Sequence, residues 1–96
     1  MLVLVCYDVD TTSKAGRRRL RRVARICEDH GQRVQFSVFE CELDPGQWVS
    51  LRQSLLDTVD SAQDSLRFYF LGAEGRRRIE THGEKQPVPL DETLIL

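Results

Sequence analysis

Arg33-Val34-Gln35-Phe36-Ser37-Val38-Phe39-Glu40 is the stretch on which the fold turns. From Arg33 to Leu43 the residues alternate as β-structure requires, but the parity of the apolar set changes partway. Val34, Phe36 and Val38 share one register, and Phe39, Cys41 and Leu43 share the other. Because side chains repeat every two residues along a strand, such a switch carries the apolar set to the opposite face. One bulged strand, or two short strands pivoting near Ser37, produces it.

The segments on either side give this stretch its context. Leu2 to Tyr7 is a continuous apolar run, which suits a strand covered on both faces at the centre of a sheet, and it stops at Asp8. Asp10-Thr11-Thr12-Ser13 follows as a loop with good N-cap side chains. Leu20, Val23, Ala24 and Cys27 then recur at i, i+3, i+4 and i+7, a helix stopped by Gly31. Beyond the pivot, Asp44-Pro45-Gly46 supplies an N-cap with proline at the first helical position, and Trp48, Leu51, Leu55 and Val59 continue a second helix to near Asp60. Leu66, Phe68 and Phe70 alternate with Arg67, Tyr69 and Leu71 in a further strand. The order β-α-β-β-α-β predicts an α+β, ferredoxin-like sandwich.

The remainder is polar and Arg-rich, with Arg76-Arg77-Arg78 in a loop and Pro87 and Pro89 opposing helix. Leu94-Ile95-Leu96 reads as an additional short C-terminal strand that needs a sheet edge to pair with. The chain is therefore expected to be a single domain over residues 1–96, with 72–96 as an extension exchanged in a dimer.

With 96 residues and 41% apolar content, the chain supports one core and no second, and a homodimer would bury more. Its formal net charge of -1 hides a segregation of charge. Lys14 to Arg33 carries eight basic and two acidic residues, whereas Glu40 to Leu66 carries six acids against Arg52 alone. One face therefore suits a polyanion and another does not. The apolar N-terminus is short, lacks a basic leader and runs directly into Asp8 and Asp10, which argues against a signal peptide or membrane span. A soluble, cytoplasmic protein is expected. Cys6, Cys27 and Cys41 are far apart with no C-x-x-C pair, so free buried thiols are expected rather than zinc ligands or a disulfide.

At 3.6 residues per turn, Arg18, Arg21, Arg22 and Arg25 fall between about 100° and 200° from Leu20, opposite the apolar stripe. Arg17 and Arg19 fall on the borders of that stripe. Six arginines within the nine residues from Arg17 to Arg25 favour anion binding over a merely solvated face. Asp8 ends the first strand, where a carboxylate can reach a ligand, or else cap the helix. Asp10 is a neighbouring candidate that could instead form the Thr11-Thr12 turn. His30 and His82 offer no convincing general base.

Val5-Cys6-Tyr7-Asp8-Val9, the Arg-rich first helix, the octet from Arg33 to Glu40 and Asp64-Ser65-Leu66-Arg67-Phe68-Tyr69 together resemble the small CRISPR-associated adaptation family across most of residues 2–71. The octet is the specific part of that resemblance. The resemblance implies a ferredoxin-like homodimer with C-terminal strands paired to the partner's sheet, and a divalent metal site, Mg²⁺ or another cation, at Asp8. Ser37 and Phe39 resemble positions near the family's site. It also implies spacer acquisition with the CRISPR integrase, binding of duplex DNA or single-stranded RNA, and metal-dependent endoribonuclease or endonuclease activity as a separable property.

Two other readings compete. An RNA-recognition module shares the element order, but its third strand needs exposed aromatics in a glycine-containing pattern, and Arg33 to Glu40 has no glycine. A ligand-sensing ferredoxin-like regulatory domain fits the composition, and the arginine ridge counts against it.

Overall fold

Val3, Val5 and Tyr7 are buried, while the alternate residues Leu4 and Cys6 are half-buried and Asp8 is exposed. That two-residue rhythm establishes which side of the sheet carries the core. In the computed structural model, which describes residues 1–83, the chain forms β1 (Leu2–Asp8), α1 (Lys14–His30), β2 (Gln32–Gln35), β3 (Val38–Glu42), α2 (Pro45–Thr58) and β4 (Ser65–Gly72). Among the described residues the sheet runs β2-β3-β1-β4 with every neighbouring pair antiparallel. This is the expected α+β, ferredoxin-like arrangement, with β1 between β3 and β4.

The core lies on one face of the sheet. Phe39, Val5 and Phe68 stand in register across β3, β1 and β4, and Cys41, Val3 and Phe70 form the next row. Val23 and Cys27 of α1 and Leu51 and Leu55 of α2 close over them, all fully buried. Trp48 of α2 meets Phe68 and Phe70 edge-on, with ring centroids 4.9 and 5.0 Å apart. Truncating a core side chain of this kind, such as Phe39, typically costs about 3–5 kcal/mol. The opposite face, carrying Leu4, Cys6 and Val38, receives neither helix. The expectation that β1 is covered on both faces is thus met on one face only within a single chain.

The parity switch resolves into two strands. Phe36 and Ser37 form the turn between β2 and β3, and the register shifts between Arg33 and Gln35, so both devices that could switch the parity are present. Tyr7 anchors the turn: its N–H donates to the Ser37 carbonyl at 3.1 Å and its hydroxyl to the Phe36 carbonyl at 3.2 Å.

Helix ends follow their capping chemistry. Ser13 Oγ accepts the Gly16 N–H at 3.0 Å. Asp44 and Gln47 form a reciprocal capping box at 2.8 and 2.9 Å ahead of Pro45. Gly31 stops α1 in an extended conformation, and the constraint there is space: a Cβ would strike Cys41 Sγ and the Glu40 carbonyl. The segment Gly75–Arg78, expected as loop, is a 3₁₀ turn that packs on Leu2, with Arg76 donating to Glu40 at 2.9 Å. The proposed C-terminal strand at Leu94-Ile95-Leu96 lies outside the described residues.

Candidate nucleic-acid interface and metal position

Asp8 closes β1 on the face that lacks helices, paired in register with Ser65 of β4. Its carboxylate is exposed and accepts no hydrogen bond from any described residue. Ser37, half-buried in the hairpin turn, is bonded through its carbonyl to Tyr7, the residue before Asp8. Asp8 and the Ser37 turn therefore share one end of the sheet. Phe39 points the other way: its side chain is fully buried, its ring stacks on Tyr7 at 6.2 Å, and the Arg33 guanidinium lies 5.1 Å from its centroid. It belongs to the core that supports the site and cannot touch a ligand directly.

Asp10 turns the chain. Its Oδ1 accepts from the Thr12 N–H at 2.9 Å and the Thr12 hydroxyl at 2.6 Å, an Asx turn that holds its carboxyl below the ordinary aspartate range. This carboxylate is already engaged where Asp8 is free.

The loop is fixed by a residue to which sequence reading assigned no role. Asp64, its side chain fully buried, accepts the Arg19 Nε–H at 2.8 Å and Nη2–H at 3.3 Å. It also accepts the Asp10 N–H at 3.0 Å and the Asp60 N–H at 2.8 Å. The Arg19 guanidinium is the main reason that the Asp64 carboxyl falls to a pKa of about 2. Arg19, read from sequence as a border residue of the binding face, is thus committed to an internal ion pair. The signals of Asp64 in the sequence were an acid directly before β4 and its place at the head of the Asp64–Tyr69 stretch. Arg17 is exposed and donates to the Thr11 carbonyl at 3.3 Å.

Arg18, Arg21, Arg22 and Arg25 are all exposed along α1, and none has an acidic partner among the described residues. Val23 and Cys27 bury the opposite face of the same helix. The four guanidinium groups form a ridge free to meet phosphates.

The histidines stay apart from this chemistry, His30 meeting the Ile26 carbonyl at 2.9 Å and His82 meeting Glu80. All three cysteines are free thiols, and burial pushes Cys41 up to about 11 and Cys27 higher still. Among the described residues no group of three or more His, Cys, Asp or Glu side chains converges on an ion position. A lone free carboxylate does not fit zinc. It does fit a hard cation such as Mg²⁺, which keeps several waters and takes only one or two protein carboxylates.

Residues 1–79 match the family described as CRISPR associated protein Cas2. The chain is 62% identical over 96 residues, 100% of both chains, to the CRISPR-associated endoribonuclease Cas2 of Chlorobaculum tepidum. It is 47% identical over 95 residues, 99% of each, to the CRISPR-associated endonuclease Cas2 of Halalkalibacterium halodurans. The crystal structure of Streptococcus pyogenes Cas2 matches with a TM-score of 0.76 at 53% identity, covering 86% of this chain and 100% of that one.

Proposed function

The chain belongs to the CRISPR-associated Cas2 family, and from that premise we propose that it acts as a homodimer in spacer acquisition, binding nucleic acid and cleaving phosphodiester bonds at a paired Asp8 site. The observation that carries this reading is the free Asp8 carboxylate at the strand end, on the sheet face that no helix covers. A two-fold axis over that face would bring together two copies of Asp8 and bury Leu4, Cys6 and Val38 from each chain. Two carboxylates meet the needs of one Mg²⁺. An ion held there would supply an activated water and neutralise charge developing on phosphate. Arg18, Arg21, Arg22 and Arg25 hold the backbone, and Ser37 is available to contact a phosphate oxygen.

The C-terminal extension belongs to the same proposal. β4 is an edge strand of the described sheet, so Leu94-Ile95-Leu96 of a second copy has an unpaired edge to join. Partnership with the CRISPR integrase and residence in the cytoplasm follow from the family's role. Among the described residues no helix is long and apolar enough to cross a membrane. Family membership and the unneutralised ridge disfavour the ligand-sensing alternative.

The test is a cleavage assay on labelled single-stranded RNA and duplex DNA with Mg²⁺. The parent and His82→Ala cut at the same rate, and Asp8→Ala does not cut. An Asp8→Ala protein as active as the parent at saturating Mg²⁺ moves the chemistry elsewhere.

A further inference from the structure

Phe36 is the most exposed large apolar side chain among the described residues, at 83%. Its backbone, by contrast, is fixed. Its carbonyl accepts from the Tyr7 hydroxyl, the next carbonyl accepts from the Tyr7 N–H, and Tyr7 is itself buried against Phe39. Asp8 is the residue after Tyr7, so the backbone that carries Phe36 is fixed at the same end of the sheet as the free carboxylate.

The other exposed large apolar side chains, Met1, Val49, Leu56, Tyr69 and Phe70, lie at the N-terminus, on α2 and on β4, none of them in this hairpin. A stable protein interface needs a continuous patch of roughly 800 Å² per partner, which one ring in a polar turn does not supply. One π-face held on a rigid backbone matches a single nucleobase instead.

Resting on the nucleic-acid reading above, we infer that Phe36 stacks on one unpaired base and thereby sets which phosphate of a single strand lies at Asp8. Every base has a π-face, so the contact tolerates sequence while fixing position. Duplex, whose bases are already stacked on one another, gains nothing from it.

The probe is a set of single-stranded RNA oligonucleotides carrying 2-aminopurine at successive positions, titrated with the parent and with Phe36→Trp, Phe36→Leu and Phe36→Ala. Ring stacking quenches the probe at one position with the parent and with Phe36→Trp. Phe36→Leu and Phe36→Ala bind single strands about tenfold more weakly and keep the parent's affinity for duplex DNA. A Phe36→Leu protein equal to the parent overturns the inference, because the contact is then merely apolar. So does equal weakening on duplex and single strand. A Phe36→Ala protein that sediments as a monomer also overturns it, assigning the ring to a second copy of the chain. A parent that binds neither nucleic acid sinks the function proposed above, whereas a parent that binds both, with variants indistinguishable from it, sinks the Phe36 assignment alone.

Discussion

Arg19 on α1 and Asp64 ahead of β4 form a two-point ion pair, at 2.8 and 3.3 Å, across 45 residues of sequence. The remaining lone pairs of the carboxylate accept the Asp10 and Asp60 N–H groups, so one buried side chain joins the loop after β1, the first helix and the start of β4. A buried charge is tolerated because every strong interaction it can make is made.

Removing that carboxylate leaves Arg19 half-buried without its partner and two N–H donors unsatisfied. Asp64→Ala should lose about 3 kcal/mol in urea denaturation, the usual cost of breaking a buried pair from one side. Acid should act through the same group. The folded carboxyl titrates near 2, below its unfolded value of about 3.9, so its contribution is complete above pH ~4 and is lost as pH falls toward 2. Asp64→Asn should flatten stability against pH across that window. An unchanged acid limb would deny the pair its role.

Gly16→Ala sets two effects against each other. Alanine in a helix interior is worth about 1 kcal/mol over glycine. A Cβ at Gly16, however, would run into the Asp10 carbonyl, and the loop it would push is pinned by Asp64. Overpacking of this kind costs about 1–3 kcal/mol, so thermal melting should show a net loss. A stabilised Gly16→Ala would mean that the loop yields freely.

The ridge should bind backbone without reading sequence. Each phosphate contact on duplex DNA contributes about 0.9 to the slope of log K against log salt. Arg21→Ala combined with Arg25→Ala should therefore flatten that slope by roughly two units in fluorescence titrations. Equal slopes for the double variant and the parent would make the ridge a solvated surface.

Much of the architecture was legible because local chemistry and global pattern agree. Ser13 and Asp44 cap the helices they precede, and Val23, Cys27, Leu51 and Leu55 are buried as their spacing requires. The Arg33–Leu43 stretch announced a pivot but could not separate a bulge from a turn, since either reverses parity, and both occur. The Arg19–Asp64 pair was not legible for a different reason. Helical angle places a residue at the border of a face, yet says nothing about an acid distant in sequence that the fold brings to meet it. Phe39 and Phe36 differ by three residues and lie on opposite sides of that pivot, so their fates, core and solvent, depended on where the chain turned.

The central claim is that two copies of Asp8 hold one divalent ion, and metal titration of the intact protein tests it most directly. Followed by the electron paramagnetic resonance of free Mn²⁺, the parent should take up one ion per two chains, in competition with Mg²⁺. Asp8→Asn, nearly identical in size, should remain dimeric by sedimentation and lose that ion. Uptake by Asp8→Asn with the parent's stoichiometry and affinity would contradict the account.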